Sequence, residues 1–221
     1  MKDRRIRPGG EGRRLARRIA QVQDRCTEMW HGAGTAATRD PLLALAQEQH
    51  RRNFDLWHEE DKARAPDATD ARIAAVKRNI DRLNQQRNDL TERLDEHLGA
   101  RVAALGARLR PGAGWNSETA GCVIDRLSIL SLKVRHMREQ CKRKDAAAEH
   151  TGKCRARLAV LRQQRQDLLL ALGELLEDLF AGRKQMKLYR QFKMYNDPQL
   201  NPEIYGSGKR TERRKSSHGA G

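Results

Sequence analysis

The sequence predicts an all-α protein, an elongated antiparallel bundle of about five helices whose third, fourth and fifth members are long. Three observations carry this. Leu, Ala, Arg and Gln are abundant, while aromatic residues make up only 4%, too few for the β-branched and aromatic surfaces of sheets. Apolar residues recur every three or four positions along most of the 221 residues, the period of one helix face. Between these stretches stand Gly and Pro, which punctuate helices.

The first helix is expected over 13–31, where Leu15, Ile19, Val22, Cys26 and Met29 fall on one face. Gly32 and Gly34 stop it. Asp40 before Pro41 marks the next start, a capping carboxylate followed by a proline whose missing N–H costs nothing in the first turn. This second helix runs to about Arg64 and is closed by Pro66. A third begins near Thr69 and keeps its seam through Ile80, Leu83, Leu90, Leu94, Leu98, Leu105 and Leu109, with Pro111 and Gly112 ending it. A fourth starts at Asn116 or Ser117 and continues to about Ala148, apolar on two sides. Gly152 separates it from a fifth, with seam residues Leu158, Leu161, Arg165, Leu168, Leu172, Leu175 and Leu179. Gly182 is expected to bend that helix, which continues toward Tyr195. Coiled-coil-like seams of this length also suit a homodimer. The bundle is read as one domain over 13–206, with basic ends at 1–12 and 207–221.

Charge narrows the functional classes. The net charge is +16. Eight Lys/Arg against two acids put +6 in residues 1–18, and five against one put +4 in residues 207–221. Ends so rich in Gly, Arg and Ser cannot bury an apolar face and are expected to be disordered. They suit nonspecific contact with nucleic acid or another polyanion. No apolar run approaches the length of a membrane span, and no secretory leader is visible. Four scattered cysteines without a C-x-x-C pair read as free thiols of a cytoplasmic protein. Neither Gly-x-Ser-x-Gly nor a phosphate-binding glycine loop is present.

The chemistry-bearing residues concentrate in "NFDLWHEEDKAR" (53–64). His50, Asn53, Trp57, Glu60 and Arg64 share one helix face. Facing the bundle, this stripe needs partners for every polar group. Asp81, Asn84, Asn88, Thr91 and Asp95 form a comparable stripe on the third helix, and Glu118, Asp125 and His136 share a face of the fourth. Such an interior is either a structural hydrogen-bond network or a ligand site. In the ligand reading, Glu60, Glu118 and Asp125 are the acid/base candidates. His50, Asn53, Trp57, Arg64, Asn84, Arg87, Asn88, Trp115, Asn116, Arg126 and Arg165 are the binding candidates. Arg87 and Arg165 sit in an echoed motif, "LNQQRNDL" and "LRQQRQDL". They either meet one buried anion, mark a duplicated hairpin, or reflect two long helices drawing on one residue alphabet. Glu28–His31 ("EMWH") and Asp55–His58 ("DLWH") have half of the spacing used by bundle metal sites. No complete ligand set is visible, so no cofactor is expected and a divalent metal stands as the alternative. Arg183, Lys184, Lys187, Arg190 and Lys193 are interleaved with Tyr189, Phe192 and Tyr195. That pattern fits single-stranded nucleic acid or a helix end docking its aromatics.

Four stretches, "NFDLWHEEDKAR", "IDRLNQQRND", "GWNSETAGCVIDRLSILSLKVRHM" and "LYRQFKMYNDPQLNP", together resemble domain-of-unknown-function family 4254 over about residues 41–205. The resemblance implies a bacterial cytosolic helical domain, often encoded beside glycosyltransferases and cell-surface polysaccharide genes, and no particular reaction. Cys122 and Arg135 depart from the small or aromatic residues expected there. The function expected from residues and resemblance together is binding of, or action on, an anionic sugar or nucleotide in cell-envelope glycan biosynthesis. The alternative is a noncatalytic scaffold with a structural polar interior and polyanion-binding ends.

Overall fold

Among the described residues there are five long helices: α1 (Glu11–Trp30), α2 (Pro41–Ala63), α3 (Asp70–Ala104), α4 (Ala120–Cys141) and α5 (Ala148–Phe180). The computed structural model describes residues 10–32, 34, 38–192, 194 and 197–206. No strand occurs among them beyond a single bridge between Gly114 and Lys184. The chain divides into two compact units, residues 1–189 and 190–221, a division inside the stretch that the sequence reads as one domain. In the second unit, a turn at Asp197 leads into a short helix over 202–206. The basic ends at 1–9 and 207–221, Lys193 and Tyr195 lie outside the described residues.

The core of the first unit forms where the apolar stripes meet. Leu15, Ile19 and Cys26 of α1 pack with Leu42 and Ala46 of α2, Leu94 and Leu98 of α3, Ile124 and Leu127 of α4, and Leu172 and Leu176 of α5. A smaller cluster joins Leu56 of α2 to Val76, Ile80 and Leu83 of α3. The seam of α3 is thus covered within a single chain at Val76, Ile80, Leu83, Leu90, Leu94 and Leu98, while Ile73 is exposed.

Helix ends are where local chemistry overrides periodicity. Asp40 caps α2 as expected, accepting from the Leu42 and Leu43 amides. α3 stops at Ala104, short of the expected end, because Gly106 takes a left-handed φ of 63° and closes the helix. Leu105 and Leu109, read as seam residues, are exposed. α4 starts at Ala120 rather than at Asn116 or Ser117, with Thr119 as the cap accepting from the Cys122 amide. It ends at Cys141, so at 22 residues it is the shorter partner of α5 rather than a third long rod. α5 begins at Ala148 and carries Gly152 inside its first turns.

Gly182, expected to bend α5, ends it instead, at φ 66°. The chain leaves extended beside residues 110–114. Arg110 N donates to Gly182 O (2.9 Å) and Gln185 N to Gly114 O (2.8 Å). Lys187 lies over the rings of Trp115 and Tyr189, so part of the basic-aromatic stretch is folded on itself.

Candidate functional site: three histidines on an open cavity

The polar stripe of α2 changes character along its length. At its start it is fully interior. His50 is 0% exposed and held at both ring nitrogens. Thr27 Oγ1 donates to the Gln23 carbonyl (2.9 Å) and accepts from His50 Nε2 (2.8 Å). Ser128 Oγ donates to His50 Nδ1 (2.7 Å) and accepts from Asn53 Nδ2 (2.8 Å). Asn53 Nδ2 also reaches Asp125 Oδ1 (2.9 Å), which accepts from Gln49 as well. Arg87 Nη2 closes this end on Asp125 Oδ2 (3.0 Å). On the other side, Ser131 Oγ donates to Asp24 (2.6 Å), which pairs with Arg165 (2.8 Å). Every proton has one consistent direction. Burial drives the His50 pKa down to about 3, so the ring is neutral; within its network the buried amide oxygens of Gln23 and Gln49 and the Nε atoms of Arg87 and Arg165 are left without a partner.

Arg87 and Arg165 therefore meet separate carboxylates, not one buried anion. Asn53, Trp57, Glu60, Arg64, Asn84 and Arg87 do converge, lining a cleft of about 380 Å³. Both of its arginines are paired, Arg64 with Glu60 (2.5 Å) and Arg87 with Asp125, while Asp61 also lines it. Asn88 is half-buried on α3 and does not line that cleft. Glu118 and Arg126 pair with each other at an exposed position (2.6 Å). Trp115, 60% exposed, and Asn116, which accepts from Lys184 (2.6 Å), stand in the loop before α4. The acid/base candidates Glu60, Glu118 and Asp125 are each tied to a different cation or amide set.

One helical turn beyond His50 and Asn53, a second polar group faces outward. His31 at the C-terminal cap of α1, His58 of α2 and His136 of α4 bring one ring nitrogen each within 4.8 Å of the others. Two of these rings are fixed by backbone carbonyls. His31 Nδ1 donates to the Thr27 carbonyl (2.6 Å), and His58 Nδ1 to the Phe54 carbonyl (2.8 Å). Both protons are thereby placed on Nδ1, so both Nε2 atoms carry a lone pair; that of His31 lies within hydrogen-bond reach of His136, whose own Nδ1 is buried without a hydrogen-bond partner. His31 Nε2 stands 3.2 Å from His136 Nε2. Two nitrogens bound to one tetrahedral ion at about 2.0–2.1 Å lie about 3.3 Å apart.

Aromatic neighbours hold the arrangement. Trp57 stacks on His136, centroids 4.3 Å apart and planes 2° from parallel. Phe54 meets the His31 ring edge-on at 5.0 Å and the His58 ring at 4.4 Å. Burial lowers the His136 pKa, partly offset by Glu139, which favours the neutral imidazole that binds metals. The three rings open on a cavity of about 1000 Å³ between α2, α4 and α5. Trp57, Met137, Val160 and Leu161 supply its apolar wall, and Asp61, Glu139, Lys133 and Arg157 its charges.

Sequence reasoning finds His31 and His58 only as halves of incomplete motifs, and it places His136 on a polar face without a role. The residues that join them are 105 positions apart at the extreme. The acid-x-x-His spacings of Glu28–His31 and Asp55–His58 are the local signal that pointed to two of them.

No curated protein and no solved structure matches the chain. One family does, over residues 43–188. The matched stretch includes His58, Asp61 and His136 but neither His31 nor most of the C-terminal stretch that carries the resemblance beyond Leu188. On that match, the chain belongs to the family described as "Protein of unknown function (DUF4254)".

Proposed function

We propose that this protein is a metalloprotein in which the Nε2 atoms of His31, His58 and His136 hold a divalent transition-metal ion of the zinc class. The observation that carries the reading is the pair of carbonyl-anchored rings, His31 and His58, whose Nε2 atoms face a third imidazole. Metal-binding histidines characteristically donate their second N–H to such a group. Three protein ligands leave a further coordination position, and the cavity lies on that side.

Metal-assisted hydrolysis is the reaction class that fits. An ion on three neutral imidazoles lowers the pKa of a bound water to about 7. Asp61, on the cavity wall and without an ion pair among the described residues, is suited to take the proton released. The anionic sugar or nucleotide expected from the sequence, and the envelope-glycan setting implied by the resemblance, enter this reading as candidates for the cavity's ligand. A structural role is favoured elsewhere, in the closed network of His50 and Asp125.

The test is calorimetric titration of chelator-treated protein with zinc chloride. One ion per chain is expected, with binding weakened about 100-fold or more in His58→Ala and His136→Ala at unchanged helical content. Stoichiometric binding that persists in the triple variant His31→Ala/His58→Ala/His136→Ala would overturn the assignment.

A further inference from the structure

The cavity in front of the histidines has a charge pattern and a wall that narrow its occupant. Lys133 of α4 and Arg157 of α5 both line it, and neither has an ion-pair partner among the described residues. The carboxylates there do not cancel them. Glu139 is committed to Arg135, leaving Asp61 as the one carboxylate of the lining without a cation. A metal ion held by three neutral imidazoles keeps its whole double positive charge, so the filled site is strongly cationic. Much of the remaining lining is apolar. Val160 is 56% exposed on α5 and, with Trp57, Met137 and Leu161, presents a surface suited to a ring or a short hydrocarbon.

Resting on the metal assignment above, we infer that the cavity binds a phosphate monoester of an apolar or aromatic alcohol. Its phosphate lies between the metal position and the Lys133/Arg157 pair, and its organic part lies against Trp57 and Val160. A dianionic group matches the excess positive charge, and a guanidinium and an ammonium reaching from two different helices can clasp oxygens on separate sides of one phosphate. The apolar wall makes inorganic phosphate the poorer ligand, because the area left in contact with water returns no hydrophobic gain. The two cations also stand at solvent-exposed positions, so removing their charge leaves the fold intact.

Calorimetry with zinc-loaded protein decides it, using phenyl phosphate, inorganic phosphate and phenol as probes. Phenyl phosphate is expected to bind at least tenfold more tightly than inorganic phosphate, and phenol to show no measurable binding. In Lys133→Gln/Arg157→Gln, zinc affinity is expected to be retained and phenyl phosphate affinity to fall about tenfold or more. Equal binding of phenyl phosphate and inorganic phosphate, or equal binding by the double variant, overturns the inference while the metal site stands. Failure of zinc itself to bind overturns the metal reading and this inference with it.

Discussion

Two histidine environments lie on neighbouring turns of the same helices, and they differ in how their hydrogen bonds are completed. His50 is sealed. Both of its nitrogens have hydroxyl partners, and the chain of contacts runs through Asn53 to an Asp125–Arg87 pair. His31, His58 and His136 are half-buried, with nitrogens facing one another and a cavity beside them. A polar group that finds all its partners inside the chain specifies helix register. Histidine nitrogens that face one another beside a cavity are open to a ligand that the network of His50 excludes. The same α2 stripe that begins as architecture thus ends as a site.

Breaking the sealed network is expected to have the largest effect. Asp125→Ala removes the acceptor shared by Gln49, Asn53 and Arg87 and should lower unfolding free energy by about 3–5 kcal/mol, measured by urea denaturation. A loss below about 1 kcal/mol would make this network dispensable and erase the contrast.

A second buried acid sharpens the comparison through pH. Asp95 of α3 accepts from the Gly121 amide at the start of α4 (2.7 Å), and burial raises its pKa to about 6, against the hydrogen bonds from Thr119 and Gly121. Since the folded value lies above the unfolded 3.8, its contribution is fully present below about pH 4 and is lost as pH rises through 6. Asp95→Asn should therefore stabilise the protein by about 2–3 kcal/mol at pH 7 and leave it unchanged near pH 4. His50 has the opposite sign. Its folded pKa, about 3, lies below the unfolded 6.5, so its contribution is present above pH 6.5 and fades as pH falls toward 3. Denaturation curves of wild type and Asp95→Asn across pH 3–7 separate the two trends.

The smallest effect is expected at the open site. His58→Ala, measured without metal, should cost about 1 kcal/mol or less, since the half-buried ring is held by one carbonyl and a tilted contact with Phe54. A loss comparable with that of Asp125→Ala would assign the cluster to architecture.

Much of the fold was legible because the helices bury one stripe each. Asp40–Pro41 placed the start of α2, and Leu94, Leu98, Leu172 and Leu175 were read as seam residues and are buried. Helix ends were less legible where a tertiary contact chose among equivalent local signals. Asn116, Ser117 and Thr119 are all good caps, and Thr119 wins where Asp95 reaches the Gly121 amide. Periodicity ran on through Leu105 and Leu109, but a left-handed Gly106 ended the helix. The polar stripe of His50 and Asn53 was visible as a network because it lies on one helix. The three histidines come from three helices, and each alone has an ordinary structural reading. Only folding places them together.

Urea denaturation of wild type, His50→Ala and His136→Ala, each with and without zinc, tests the central contrast most directly. His50→Ala is expected to lose about 2–4 kcal/mol by opening a cavity and removing one hydrogen-bond partner each from Thr27 and Ser128 in the core, yet to keep the full stabilisation by zinc, about 2.7 kcal/mol at 100 times the dissociation constant. His136→Ala is expected to match wild type without zinc and to gain nothing from it. The reverse pattern, with zinc stabilising His136→Ala as much as wild type, would contradict the division between a sealed network and an open metal site.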